Sequence, residues 1–246
     1  MSSMRLYCLP HSGASAMVYS RWAKKLPSWI DVQPVELPGR GMRMAEALQT
    51  DMPRLVAQLA REIRAKHSPR QSYALFGHSL GALVAFELAH ALPKVGCGSP
   101  KMLFASGTAA PTRREDYEDR LAEPKSDAEL MDDLRSLQGT PEEVLANQEL
   151  MALTLPVMRA DYLLCGRYSY NHKVANKLQC PLHVLAGKED KATHDQLIAW
   201  HQETASTSSL SYFDGGHFFT QEYEDEVLAS VISYIEAVAG DMVCFN

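Results

Sequence analysis

Residues 73–81 read Tyr73-Ala-Leu-Phe-Gly-His-Ser-Leu-Gly81. The first four residues are apolar or aromatic, as in a buried strand, and an apolar run with helical periodicity follows over residues 82–92. The five residues between them match the pattern G-x-S-x-G. Between a strand and a helix, this pattern forms a sharp turn that exposes the serine hydroxyl, and its glycines permit the strained backbone. We therefore predict that Ser79 is a nucleophile at the end of a buried strand.

Similar short apolar runs occur before and after this segment, and segments with helical periodicity separate them. The clearest helical segment begins at Asp51, a predicted N-cap, and carries an apolar stripe through Ile63. Strands that alternate with helices predict an α/β protein whose mostly parallel sheet is covered by helices on both faces. The predicted strands are residues 6–9, 32–37, 73–76, 102–105, 183–186 and 210–213.

Residues 113–170 break this alternation, because they show helical signals and no strand pattern. Segments 126–129 and 140–143 both read as capping boxes. A longer helix is predicted over residues 150–165, interrupted by Pro156. Such a segment is either an enlarged helical layer or a lid over a site at the strand ends. We predict that residues 1–246 form a single domain that contains this insertion.

A serine hydroxyl is a poor nucleophile unless a base accepts its proton and an acid orients that base. In this architecture the acid and then the base follow the serine along the chain, each just beyond a later strand. Asp190 follows the fifth predicted strand, and His217 follows the sixth behind a Gly-Gly turn. Glu189 and Asp195 are rival acids, but Asp190 better suits a turn directed back at His217. We predict a catalytic set of Ser79, Asp190 and His217.

Hydrolysis through a tetrahedral intermediate also needs two preorganised N–H donors for the oxyanion. One is the amide of Leu80, directly after the serine. The other is expected in the loop of residues 10–14, after the first strand, with Ser12 as the candidate. His78 adjoins the nucleophile but points away from it, so we expect a packing or hydrogen-bonding role. No phosphate-binding or metal-ligand motif is recognisable, and we predict neither a metal nor a cofactor.

Composition narrows the other possibilities. The 246 residues carry 24 Lys and Arg against 30 Asp and Glu, a net charge of −6 without a basic run, so nucleic-acid binding is not expected. No apolar stretch reaches the ~18 residues of a membrane span, and no secretory signal is recognisable. Five cysteines without close pairing suggest free thiols and a cytoplasmic protein. Nothing in the sequence demands more than a monomer.

Four segments occur in this order along the chain: Cys8-Leu-Pro-His-Ser-Gly-Ala-Ser15, Glu36-Leu-Pro-Gly-Arg-Gly41, Gly77-His-Ser-Leu-Gly-Ala82 and Gly215-Gly-His-Phe-Phe219. Together they resemble the type II thioesterases, which are α/β-hydrolases that accompany nonribosomal peptide and polyketide synthases. Parts of the insertion, residues 137–141, 149–150 and 155–161, are also similar to the lid region of that family. One departure is Gln148, where a proline is expected before Glu149.

The resemblance implies an editing enzyme that hydrolyses aberrant or stalled acyl thioesters on the phosphopantetheine arms of acyl or peptidyl carrier domains. Because such domains are usually acidic, docking is expected to use a basic patch, for which Arg40 and Arg43 are candidates. Apolar residues of the lid would cover the acyl chain and the pantetheine arm, although ordinary helix packing explains them equally well. These lid candidates are Leu130, Leu134, Met151, Leu155 and Met158.

Four alternatives remain open. A medium-chain thioesterase that terminates fatty acid synthesis would share the catalytic residues and differ in chain-length preference. A macrocyclising terminal thioesterase domain fits less well, since no carrier domain is attached. A general esterase would prefer oxygen esters. A non-catalytic carrier-binding protein would keep the fold but has no need of all three predicted catalytic residues.

Overall fold

Parallel strands form the centre of the protein in the computed structural model, which describes residues 3–68, 71–114, 121–137, 139–170 and 177–241. The strands are β1 (Met4–Leu9), β2 (Ile30–Pro34), β3 (Ser72–His78), β4 (Leu103–Ser106), β5 (Leu182–Gly187) and β6 (Ser208–Phe213). They pair in the order β2-β1-β3-β4-β5-β6, and every pairing is parallel. The predicted strands are confirmed with small shifts at their ends.

The largest shift is at β2, which ends at Pro34 although the apolar pattern predicts a strand through residue 37. This strand lies at the edge of the sheet, and its one neighbour is β1. The last paired residues are Cys8 and Pro34, with one further bond from the Val35 amide to the Cys8 carbonyl at 2.9 Å. Because β1 ends at Leu9, the following apolar residues have no strand to pair with.

Helices cover both faces of the sheet, which confirms the α/β class. Leu75 of β3 packs in a cluster with residues of α2 and α3, whereas Phe76 packs on the opposite face with residues of α1 and α9. The helices are α1 (Trp22–Lys25), α2 (Met52–Lys66), α3 (Leu80–Lys94), α4 (Asp127–Leu137), α5 (Glu142–Leu145), α6 (Gln148–Gly166), α7 (His194–Ile198), α8 (Phe219–Glu222) and α9 (Glu224–Asp241). As predicted, Asp51 caps α2, and its side chain accepts a hydrogen bond from the Arg54 amide at 2.8 Å. None of the described helices combines the length and apolar character of a membrane span.

The direction of the strand connections reverses between β1 and β3. From β1 the chain proceeds to β2 on one side, and β3 pairs on the other. In open parallel sheets, such a reversal leaves a crevice at the carboxyl ends of the strands. Leu9 pairs with Gly77, so the loop of residues 10–14 begins beside the turn that contains Ser79.

Helices α4, α5 and α6 lie between β4 and β5 and form the helical insertion, which overlaps the predicted range of residues 113–170. Residues 115–120 and 138 of that range lie outside the described residues. The insertion has an apolar cluster separate from those on the sheet. It is therefore a small packed unit beside the crevice.

One of the two predicted capping boxes is confirmed. The amide of Ser126 donates to Glu129 Oε2 at 2.8 Å, and the Glu129 amide donates to Ser126 Oγ at 3.3 Å. The prediction for residues 140–143 is wrong, because α5 begins at Glu142 and its N-cap is Pro141, which has no side-chain acceptor. Thr140 therefore lies one residue outside the capping position.

The interruption predicted at Pro156 is also wrong, because α6 is continuous from Gln148 to Gly166. Pro156 and Ala152, one turn before it, are exposed. Water can therefore reach the carbonyl that the proline leaves without an amide partner. The helix begins at Asn147, whose side chain accepts bonds from the amides of Glu149 and Leu150, both at 3.1 Å. Asn147 therefore caps the start of the helix, although the proline expected before Glu149 is absent.

Candidate active site

Ser79 lies between the last residue of β3 and the first residue of α3. Its φ is +55° and its ψ is −117°, and it is the one described residue other than glycine with a positive φ. Such a conformation costs about 1–3 kcal/mol, and the surrounding structure must maintain it. The Ser79 amide contributes by donating to the Ser106 carbonyl at 2.8 Å. The side chain is held at a sharp strand-to-helix turn, as predicted.

Two glycines make this turn possible. A Cβ at position 77 would lie 2.0 Å from the Gly81 carbonyl oxygen, and one at position 81 would lie 2.2 Å from the Leu9 carbonyl oxygen. Neither distance is compatible with a side chain. The glycines of the motif therefore allow α3 to approach β1 and β3 closely, which the short turn requires.

Asp190 and His217 contact each other although 27 residues separate them. Asp190 follows β5 in a turn, and its carboxylate lies 3.0 Å and 3.2 Å from His217 Nδ1. Nδ1–H donates to this carboxylate, which leaves Nε2 as the acceptor of the ring. The rival acids Glu189 and Asp195 are exposed on the surface. Geometry thus selects Asp190 as the partner of the histidine.

A cavity of about 390 Å³ lies at the crevice. The predicted nucleophile, base and acid all border it, together with both predicted oxyanion donors, Ser12 and Leu80. Leu80 is the first residue of α3, and an amide in the first turn of a helix has no acceptor within that helix. Five residues from four separate loops are thereby brought to one site.

Three histidines, His11, His78 and His217, have their rings in contact at this site. His78 is buried, and its Nδ1 lies 2.9 Å from Ser106 Oγ, which confirms a hydrogen-bonding role. Burial lowers the pKa of His78 well below its usual value, with a further contribution from the neighbouring His217 and His11. Burial likewise lowers the pKa of His11 to about 4. At neutral pH, both are uncharged neighbours of His217.

The predicted lid residues divide into two groups. Leu134 and Met158 line the cavity. The others, Leu130, Met151 and Leu155, do not line it, and they pack with the first two in the apolar cluster of the helical insertion. This division arises because helices α4 and α6 bury residues against each other as well as toward the cavity.

Several polar cavity residues have no recognisable signal in the sequence. Lys125 and Asp133 form an ion pair at 2.5 Å on the wall, and the Lys125 ammonium lies 5.4 Å from the centre of the Tyr162 ring. Gln196 and Gln221 line the cavity from α7 and the region of α8. These residues come from separate elements, so only the assembled fold identifies them. Within the described residues, no group of three His, Cys, Asp or Glu side chains is arranged to hold a metal ion.

The prediction that Arg40 and Arg43 form a docking patch is wrong. The Arg40 side chain is only 5% exposed and forms a bidentate ion pair with Asp161 of α6, at 2.5 Å and 2.7 Å. Arg43 pairs with Glu46 and Glu62, at 2.6 Å and 2.8 Å respectively. Both guanidinium groups are already neutralised by this chain's own carboxylates, so they do not offer charge to an acidic partner.

The family described as "Thioesterase domain" matches residues 4–238. The "Gramicidin S biosynthesis protein GrsT" of Aneurinibacillus migulanus is 34% identical over 98% of this chain and 93% of its own length. The crystal structure of ClbQ from the colibactin NRPS/PKS pathway has a TM-score of 0.89, with 35% identity over 97% of this chain and 99% of that chain. The type II thioesterase BorB from the borrelidin biosynthetic cluster has a TM-score of 0.82, with 38% identity over 94% of this chain and 92% of that chain. The chain therefore belongs to the thioesterase family and is a hydrolase of the α/β-hydrolase fold that acts on acyl thioesters.

Proposed function

We propose that the protein is a type II thioesterase that removes aberrant or stalled acyl groups from the phosphopantetheine arms of acyl or peptidyl carrier domains in a nonribosomal peptide or polyketide pathway. The similarity to GrsT, ClbQ and BorB along nearly the whole chain supports this pathway context. The observation that carries the chemistry is that Ser79, at a strained turn, borders the same cavity as the hydrogen-bonded pair of His217 and Asp190.

In the proposed acylation step, Ser79 Oγ attacks the thioester carbonyl carbon while His217 Nε2 accepts the hydroxyl proton. Asp190 stabilises the resulting imidazolium through its bond to Nδ1–H. The amides of Ser12 and Leu80 donate to the oxyanion of the tetrahedral intermediate, which lowers the barrier. The carbon–sulfur bond then breaks, and the pantetheine sulfur leaves as a thiol with the proton from His217.

In the second step, His217 accepts a proton from water, and the water oxygen attacks the carbonyl carbon of the acyl-Ser79 ester. The same amides stabilise the second oxyanion. Collapse returns the proton to Ser79 Oγ and releases a carboxylic acid. Both steps use only side chains and amides of this chain with water, so we propose a reaction without metal or cofactor.

The cavity favours short acyl groups. Its volume of about 390 Å³ is at the small end of the range for ligand sites, and it must hold the end of the pantetheine arm as well as the acyl chain. Its wall includes the Lys125–Asp133 ion pair besides apolar residues such as Leu134 and Met158. An ion pair is a poor surface for a long apolar chain to pack against, so this wall disfavours such a chain more than an acetyl or propionyl group.

The proposal is tested by hydrolysis of acetyl-, propionyl- and decanoyl-phosphopantetheinyl carrier protein. The wild type is measured beside Ser79→Ala and beside Ser20→Ala, an exposed serine, as the control. We expect release of the short acyl groups by the wild type and the control, and none by Ser79→Ala. A strong preference for decanoyl would instead indicate a medium-chain thioesterase of fatty acid synthesis. Binding of the carrier without any hydrolysis would indicate a non-catalytic protein.

We further propose that the enzyme works as a monomer in the cytoplasm. The thiols support the compartment: Cys8, Cys97, Cys165 and Cys180 are unpaired and buried, and such free thiols suit a reducing environment. The fifth, Cys244, lies outside the described residues. Light scattering of the purified protein tests the monomer, and a mass of twice the chain would contradict it.

A further inference from the structure

The loop of residues 10–14 is held in one orientation by its own backbone. The Ala14 amide donates to the His11 carbonyl at 3.1 Å, which closes a turn. In a trans peptide the N–H and the C=O point in opposite directions. The Ser12 amide, which shares a peptide with the His11 carbonyl, therefore points away from this turn. An oxyanion donor at Ser12 depends on this peptide staying in place.

The next peptide, between Ser12 and Gly13, is fixed at both of its polar groups. The Ser12 carbonyl lies 3.0 Å from His11 Nδ1, which donates to it. The Gly13 amide donates to Asp161 Oδ2 at 2.8 Å. Because both groups are engaged, rotation of this peptide would break two hydrogen bonds. Gly13 also packs closely on α6, since a Cβ there would lie 2.8 Å from Met158 Cγ.

Asp161 itself is held from a third segment. It projects from α6 of the helical insertion, it is completely buried, and it accepts both bonds of the bidentate pair with Arg40. Arg40 Nη1 also lies 3.5 Å from the Ala14 carbonyl. Bidentate pairs between ionised groups are among the strongest and most directional hydrogen bonds in proteins. The same carboxylate thus joins α6, the segment after β2 and the 10–14 loop.

Resting on the proposed function, we propose that Asp161 and Arg40 are positioning residues, which hold the Ser12 amide at the oxyanion and so couple the helical insertion to catalysis. Neither residue touches the reacting atoms in this role. Their effect is expected on the transition state, where negative charge develops on the oxygen, and much less on the ground-state thioester. The ion pair is therefore predicted to affect kcat rather than KM.

The test uses Asp161→Asn and the double variant Arg40→Met/Asp161→Leu. The asparagine keeps the size of the side chain but loses the charge that pairs with Arg40, and the double variant leaves no unpaired buried charge. Arg43→Met is the matched control, because it removes a neighbouring ion-paired arginine that does not contact the 10–14 loop. The substrate is the acetyl thioester of N-acetylcysteamine, so that carrier docking does not enter.

Removing one oxyanion donor lowers kcat about 100- to 1,000-fold in other hydrolases, and a displaced donor is expected to cost about 10- to 100-fold. We expect this loss in both Asp161 variants, with KM changed less than about threefold and with the control unchanged. Binding of a trifluoromethyl ketone analogue, which forms a tetrahedral adduct on a reactive serine, should weaken by a similar factor. Binding of the unreactive amide analogue should stay the same.

Two results would overturn the proposal: an unchanged kcat in Asp161→Asn with a normal thermal transition, or a rise in KM alone. Asp161→Asn leaves the Arg40 charge unpaired and the double variant does not, so the conclusion rests on whichever variant keeps a normal thermal transition. Failure of the proposed function is a separate outcome, since then the wild type itself would not hydrolyse the thioester or Ser79→Ala would hydrolyse it equally.

Discussion

The functional side chains at the crevice differ in how far along the sequence their structural partners lie. Ser79 owes its exposure to two flanking glycines and a strained backbone, all within a few residues. His217 depends on a carboxylate 27 residues earlier, and Asp161 on an arginine 121 residues earlier. A residue such as Ser79, whose structural partners are its neighbours in the sequence, can be predicted from a motif. Nothing near Arg40 in the sequence indicates its buried partner Asp161, so sequence analysis alone suggests a docking role on the surface for it.

The bond between Asp190 and His217 gives a prediction for Asp190→Asn. The amide would donate to His217 Nδ1, which would then act as the acceptor and leave the proton on Nε2, where the base is needed. We expect kcat for acetyl-carrier hydrolysis to fall about 10,000-fold with KM nearly unchanged. Steady-state kinetics of Asp190→Asn and of Glu189→Gln, an exposed neighbour, measure this. An equal loss in both variants would contradict the assignment.

At the scale of elements, the strands and the long helices follow from apolar periodicity, while the helical insertion follows only in part. Periodicity identifies the buried positions of α4 and α6 but does not say against which surface each position packs. Leu134 faces the cavity and Leu130 does not, although both lie on the buried side of one helix. The polar wall of the cavity comes from several elements and needs the assembled fold. The two predicted capping boxes have the same spacing, and only the box at residues 126–129 forms, because the helix after Thr140 begins one residue too late.

The two N-termini in the insertion give a prediction about stability. Asn147 accepts two amide bonds at the start of α6, whereas Thr140 accepts none at the start of α5. Asn147→Ala is expected to lose about 1 kcal/mol of unfolding free energy, and in a chain of this size that lowers Tm by roughly 2–4 °C. Thr140→Ala should leave Tm within a degree or so, because the half-buried Thr140 side chain lies outside the capping position and caps no amide. Differential scanning calorimetry compares them, and equal shifts would contradict the capping assignment.

At the scale of the whole molecule, the order of the strands determines where chemistry can occur. The reversal between β1 and β3 leaves a crevice, and the loops after β1, β3, β5 and β6 all reach it. The sequence predicted that each functional residue follows a strand, and parallel strands then bring these residues to one edge of the sheet. Sequence patterns could not predict the volume of the cavity, because it depends on how far the helical insertion lies above the sheet.

The pH dependence of stability is also a property of the whole fold. His183 is completely buried in β5, its Nδ1 lies 2.7 Å from Ser209 Oγ, and burial lowers its pKa to about 4. The unfolded chain, with a histidine pKa of about 6.5, binds this proton more readily, so stability is lost as the pH falls from about 6.5 toward 4. We expect a loss of about 2 kcal/mol from this residue alone between pH 7 and pH 5.

Urea unfolding at the two pH values measures that loss. His183→Gln should reduce the difference between pH 7 and pH 5, whatever its effect on stability at pH 7. His194→Gln is the control, since His194 is exposed. An unchanged difference in His183→Gln would show that other groups carry the pH dependence.

The central claim is that Ser79 forms an acyl-enzyme with a thioester substrate. It is tested most directly by mixing the enzyme with acetyl-phosphopantetheinyl carrier, quenching in acid within the first turnover, and mapping the peptides by mass spectrometry. We predict one acetyl group on the peptide that contains Ser79 in the wild type, and none in Ser79→Ala. Turnover without this adduct, or an adduct on another residue such as Cys165, would contradict the account.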